Sequence, residues 1–190
     1  MSERKRKYNN HIVYFDPVKK IAYWDGTFGT REFRLIKDLN SLALKRCYRF
    51  DSMHEYYCYR IISLKLPPNL QLLRQVSFLV IPKSDLDSAV IYRADLVIVE
   101  KNVAEKTIRQ WAMQLEPIPV NFLVIEPKGI LTESARLKHL MLCVRNKITA
   151  QQILFVASNY ASLNLPSEVK SSLFFLATTL KKKLELIFGE

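Results

Sequence analysis

At 190 residues and 49% hydrophobic, the chain is long enough to bury a core and too apolar for general disorder. Its 29 basic and 18 acidic side chains leave a net charge of +11, which points to a polyanion: DNA, RNA or an anionic membrane surface. No apolar run reaches bilayer length and Met1 to Lys7 is too charged for a signal peptide. The scattered Cys47, Cys58 and Cys143 read as reduced thiols in a cytoplasm, not as a disulfide frame or zinc site.

Residues 1–10 form a basic arm (Arg4, Lys5, Arg6, Lys7), and residues 11–190 read as a single domain. The β-rich runs His11 to Phe15 and Ile21 to Trp24, separated by Asp16-Pro17, predict a hairpin. Residues 30–44 fit either a strand or a helix. A helix is expected from about Ser52 to Leu66, stopped by Pro67-Pro68, with Tyr56, Tyr59, Ile61 and Ile62 as its buried stripe. Ser52 and Glu55 have the form of a capping box. The functional account of Glu55 is a first-turn carboxylate at the positive helix end, available to a metal and its water.

Strands follow over residues 72–81 and 90–99 and should pair antiparallel. Asn102 with Glu105 predicts a helix start, with Val103, Ile108, Trp111 and Leu115 on one face and Pro117 beyond its end. A helix between strands permits a right-handed parallel crossover, which would set Asp95 and Glu126 on neighbouring strand ends. The run Asn121 to Gly129 ends in Glu126-Pro127-Lys128, whose acid and amine project to one side of the strand. An acid and an amine at the mouth of a buried strand, with Asp95 as partner acid, suit a metal ion and a water. The alternative is a loop ion pair of Glu126 with Lys128, and a turn capped by Asp95.

Thr132 to Leu142 reads as an amphipathic helix with Arg136, Lys138 and Arg145 on its polar side. Residues 152–157 read as a further buried strand, and Pro166 opens a last helix running toward Phe188 with Lys181, Lys182 and Lys183 at its end. Four glycines leave little room for a nucleotide cradle, and His11, His54 and His139 have no metal spacing.

Glu55 on a helix, Asp95 on a strand and Glu126-Pro127-Lys128 on the next sheet strand before a basic helix resemble the PD-(D/E)XK nuclease superfamily. The match covers about residues 48–148. Phe50-Asp51-Ser52, Gln75, Phe78, Tyr92, Gly129, Thr132 and Arg136-Leu137-Lys138 narrow it to a phage- and mobile-element-encoded nuclease branch. A second similar branch is the end-nicking subunit of heteromeric transposases. Ala94 stands where the superfamily name has proline.

The resemblance implies an α/β fold with a restriction-endonuclease-like αβββαβ core over about residues 46–158. That core is a mixed central sheet flanked by helices, with an N-terminal β-hairpin and a C-terminal helix added. It implies Mg²⁺ (or Mn²⁺) held by Asp95, Glu126 and the carbonyl of Pro127, with Glu55 completing the shell and Lys128 placing the attacking water. Hard oxygen donors and a nearby lysine are what such chemistry needs. Because Pro127 cannot donate to a ladder, the strand is expected to leave its sheet there. Gln75 could touch the water or the scissile phosphate, or be a strand glutamine satisfied by backbone.

The function expected is a Mg²⁺-dependent DNA endonuclease, structure-selective or end-processing. Arg93, Arg136, Lys138 and Arg145 would bind phosphates in a salt-dependent way with little base discrimination. The alternatives are a transposase nicking subunit acting with a partner protein, and an inactive nucleic-acid-binding or assembly protein of the same fold. A homodimer is expected through the hairpin or the run Leu173, Phe174, Phe175, Leu176, with no membrane partner.

Overall fold

Asp16 makes the first turn: its carboxylate accepts from the backbone N–H groups of Val18 (2.9 Å) and Lys19 (3.0 Å). The Lys19 bond is the main cause holding its carboxyl below the usual carboxylate range, against the opposing effect of burial. The turn joins β1 (Val13–Asp16) to β2 (Ile21–Trp24) as the antiparallel hairpin read from the sequence. The structure, a computed structural model, describes residues 11–26, 29, 33–39, 44–85, 87–128, 133–157 and 178–189.

Two units divide the chain, Met1–Tyr57 and Cys58–Glu190. In the first, β3 (Phe33–Leu35) lies parallel to β2 and leads into one 3-10 turn, Ile36–Asp38, which resolves the described part of residues 30–44. With β4 (Tyr48–Phe50) beside β1, the sheet order is β3-β2-β1-β4. Phe15, Phe33 and Phe50 meet the ring of Tyr56 at 5.7, 5.5 and 5.6 Å, so an aromatic cluster forms this unit's core.

Tyr56 lies on α1 (Met53–Lys65), whose residues from Cys58 onward belong to the second unit. There follow β5 (Leu70–Ile81), β6 (Val90–Glu100), α2 (Glu105–Ala112), β7 (Phe122–Lys128), α3 (Glu133–Asn146), β8 (Ile153–Ala157) and a helix, α4, over residues 178–188. The second sheet has the order β5-β6-β7-β8, mixed because β8 runs parallel to β7 while the other pairs are antiparallel. Ile108 and Ala112 of α2 and Leu142 of α3 pack one sheet face with Phe78, Tyr92, Val97 and Val124. Cys58 and Ile62 of α1 and Leu180 and Leu184 of α4 pack the other with Leu96, Ile98, Leu123 and Ile125. Each such fully buried aliphatic side chain contributes about 1.5–3 kcal/mol. The second unit is thus a sheet with helices on both faces. No helix among the described residues is long and apolar enough to cross a membrane.

Four expectations are corrected. β6 and β7 are neighbours but antiparallel, with Val99 opposite Phe122: the intervening segment leaves and rejoins the sheet at one end, and the eight residues of α2 span only about 12 Å. Asn102 does not cap α2, because its side chain donates to Glu100 Oε2 at 3.1 Å and the helix starts after an extended Ala104. β7 does not leave the sheet at Pro127, which pairs with Val156. Its pairs with β6 end at Ile125, so the missing N–H falls where that neighbour is already lost. Finally, α3 is not cleanly amphipathic: it buries His139, Leu142 and Asn146 and leaves Leu137, Leu140 and Val144 exposed beside Arg136 and Lys138. The run Leu173 to Leu176 lies outside the described residues.

Candidate active site

The β6–β7 ladder ends at Leu96 opposite Ile125, and Asp95 and Glu126 are the next residues of the two strands beyond that last pair. Glu126 is 1% exposed, so its carboxylate needs compensation from the protein. The Asp95 backbone N–H donates to Glu126 Oε1 at 3.3 Å, and the Tyr92 hydroxyl donates to the same oxygen in a short bond. His139 of α3, also buried, places Nε2 3.1 Å from the Tyr92 hydroxyl and 4.0 Å from Glu126 Oε2.

The order of protons follows from the donor inventory. Tyr92 has one O–H, given to Glu126, so its oxygen accepts from His139 Nε2–H. Burial first, then the charge of Glu126 and the bond to it, push the Tyr92 hydroxyl far above the ordinary tyrosine value and keep it a donor. The imidazole is wedged edge-on between the rings of Tyr92 (5.0 Å) and Phe155 (4.8 Å), Phe155 being the β8 residue opposite Glu126.

Tyr92 and His139 were not among the expected site residues. Tyr92 enters the sequence argument only through the family match, and its one local signal is a hydroxyl in an apolar run. His139 gives no local signal, because its partner lies 47 positions away.

The other expected residues are dispersed. Lys128 ends β7, its side chain outside the described part of the structure. Gln75 has a left-handed φ of 53°, and its carbonyl accepts from Arg109 at 3.1 Å. Arg93 is exposed and alternates with the buried Tyr92 and Ala94, so it projects from the opposite face of β6 to the one α3 covers. It does not share a surface with Arg136 and Lys138. Arg145 is half-buried, and its Nε and Nη2 find no hydrogen-bond partner among the described residues.

Glu55 belongs to the first unit, where the capping box is formed. Its N–H donates to Ser52 Oγ at 3.1 Å, and its Oε2 accepts from the Asp51 N–H at 3.2 Å. Glu55→Ala is therefore expected to cost about 1 kcal/mol in thermal or denaturant unfolding. Full activity at that reduced stability would assign Glu55 to the cap alone. A loss of metal-dependent cleavage in the still-folded variant would give it a catalytic part.

Asp95 and Glu126 supply two carboxylates on adjacent strands just past their last pair, and Pro127 adds a carbonyl next in the chain. Mg²⁺ uses one or two carboxylates and fills its remaining positions with water and substrate oxygen, so the donor types and number fit it. Among the described residues no group of three or more His, Cys, Asp and Glu gathers into a metal cluster. No family model, curated protein or solved structure matches the chain.

Proposed function

We propose that the chain is a Mg²⁺-dependent DNA endonuclease of the PD-(D/E)XK type, hydrolysing phosphodiesters in the cytoplasm on behalf of a phage or mobile element. The observation that carries this reading is the meeting of the Asp95 backbone with the buried Glu126 carboxylate just beyond the end of the β6–β7 ladder. The strand and helix order adds support: α1-β5-β6-β7-α3-β8 is αβββαβ with α2 interposed.

Asp95, Glu126 and the Pro127 carbonyl would hold the ion, Mg²⁺ or Mn²⁺. When bound, it supplies charge neutralisation at the phosphate and a water of lowered pKa. Tyr92 and the Asp95 amide fix the orientation of Glu126 Oε1. Lys128 places the attacking water and withdraws charge from it. The half-buried guanidinium of Arg145 suits an anionic oxygen, and Arg136 and Lys138 on the exposed side of α3 suit backbone phosphates.

The net charge of +11 and the lack of a base-reading motif favour branched DNA or DNA ends over a short specific sequence. Cutting both strands of such a substrate favours a homodimer. The test compares a four-way junction, a fork, linear duplex and single strand at matched salt with Mg²⁺ and Mn²⁺, together with the mass in solution. Preferential cleavage of the junction or fork by a dimer is expected. Preference for one short duplex sequence, or a strict monomer cutting only linear ends, overturns the branched-substrate form. Cleavage appearing only with a partner transposase protein would favour a nicking subunit.

A second reading has its own observation. Tyr92, His139 and the Asp95 amide already compensate Glu126 from within the protein, which suits a nucleic-acid-binding protein of this fold that cuts nothing. Mn²⁺ titration of the full chain separates the two. Binding lost in Asp95→Ala supports the nuclease, and no binding at millimolar Mn²⁺ supports the scaffold.

A further inference from the structure

On the sheet face that carries Glu126, β7 contributes Phe122 and Val124 and β6 contributes Val97 and Val99. Two-residue alternation carried back from Val97 would bring Asp95, Arg93 and Ile91 to that face. The residues found there are Ala94 and Tyr92, so β6 slips by one residue beside Asp95. β5 slips at the same level, with Leu73 before the step and Val76, Phe78 and Val80 after it. Between them the ladder passes from Arg74 opposite Leu96 to Val76 opposite Ala94, stepping over Gln75.

Gln75 is the residue with φ of 53°, a conformation uncommon for a side chain with a Cβ. Something must hold it. Arg109 of α2 donates from Nη2 to the Arg74 carbonyl (2.7 Å) and from Nη1 to the Gln75 carbonyl (3.1 Å), while its Nε is fixed on Glu105 Oε1 (2.8 Å). The planar fork of arginine matches two successive carbonyls as a lysine ammonium does not.

We propose that Arg109 is a positioning residue: by clamping the left-handed step in β5 it keeps the paired slip in β6, which brings Tyr92 in place of Arg93 to the face of Glu126. The inference rests on the reading of Glu126 as an active-site carboxylate. Without the slip the Tyr92 hydroxyl points away from Glu126 and its oxygen loses its donor.

The test follows the Tyr92 ¹³Cζ resonance in the full chain labelled on tyrosine, assigned by its loss in Tyr92→Phe, alongside cleavage kinetics. Arg109→Leu should displace that resonance and lower kcat by about a hundredfold, since small misplacements at a reacting centre cost that much. KM for DNA should move by less than about twofold, the lost interaction being one made in the transition state. Adding Gln75→Gly should restore both, because glycine takes a left-handed φ without a clamp. A purely stabilising role for Arg109 predicts no such rescue. An unmoved resonance in Arg109→Leu, or a displaced one that Gln75→Gly leaves displaced, overturns the proposal. If Arg109→Leu does not fold, Gln75→Val with Arg109 intact replaces it, and there too an unmoved resonance overturns the clamp. Absence of cleavage by the unaltered chain removes the nuclease reading, while the resonance still decides the clamp.

Discussion

Asp95→Ala and Glu126→Ala should each lower Mg²⁺-dependent cleavage by about 10³-fold or more, the scale on which losing one electrostatic stabiliser of the transition state is felt. The two differ in their effect on the fold. Asp95 is half-buried and gives Glu126 its backbone N–H, which alanine keeps. Glu126→Ala removes the acceptor of both that N–H and the Tyr92 hydroxyl, at a cost of about 1–3 kcal/mol per stranded donor. Glu126→Gln is the better probe, because its amide oxygen still accepts from Tyr92 while the negative charge is gone. DNA binding without metal should be unchanged or stronger in all three, since each removes a carboxylate that repels phosphate. Gel shift in EDTA and single-turnover cleavage in Mg²⁺ measure the two properties on one preparation. Cleavage retained in Asp95→Ala, with contaminating nuclease excluded, would sink the site.

Lys128→Ala should lower kcat by about 10²–10⁴-fold, the range of a positioned proton-transfer group, and leave Mn²⁺ affinity within about twofold. Its role is assigned to the water, so the ion should not sense its loss. Lys128 closes β7 opposite Ala157, at the end of the strand. A parallel fall in Mn²⁺ affinity and in rate would move Lys128 from the water to the integrity of the metal site. An unchanged rate would remove Lys128 from the catalytic residues and leave the water to be placed by another group.

Where one stretch carried its own signal, the sequence was a sufficient guide. The Asp16-Pro17 turn, the Ser52–Glu55 cap and the antiparallel β5–β6 pair rest on interactions within a few residues or on alternation along a run. Asp95 and Glu126 were legible as the acids of two apolar strands, because a carboxylate in such a run is a costly exception. The sense of the β6–β7 pairing was not legible, nor was the face on which Arg93 lies. Parity reverses in β5 at Gln75 and in β6 beside Asp95, and glutamine gives no composition signal for a positive φ.

Tyr92 and His139 show the same limit from another side. Their bond spans 47 positions and exists only because α3 folds over the face that the slip in β6 turns toward Glu126. Local chemistry determined which residues could form the site: turn donors, caps and apolar periodicity act over one to four positions. Tertiary structure alone decided which of them meet, because strand parity and helix docking are set by burial summed over the whole sheet, a quantity no short window of sequence contains.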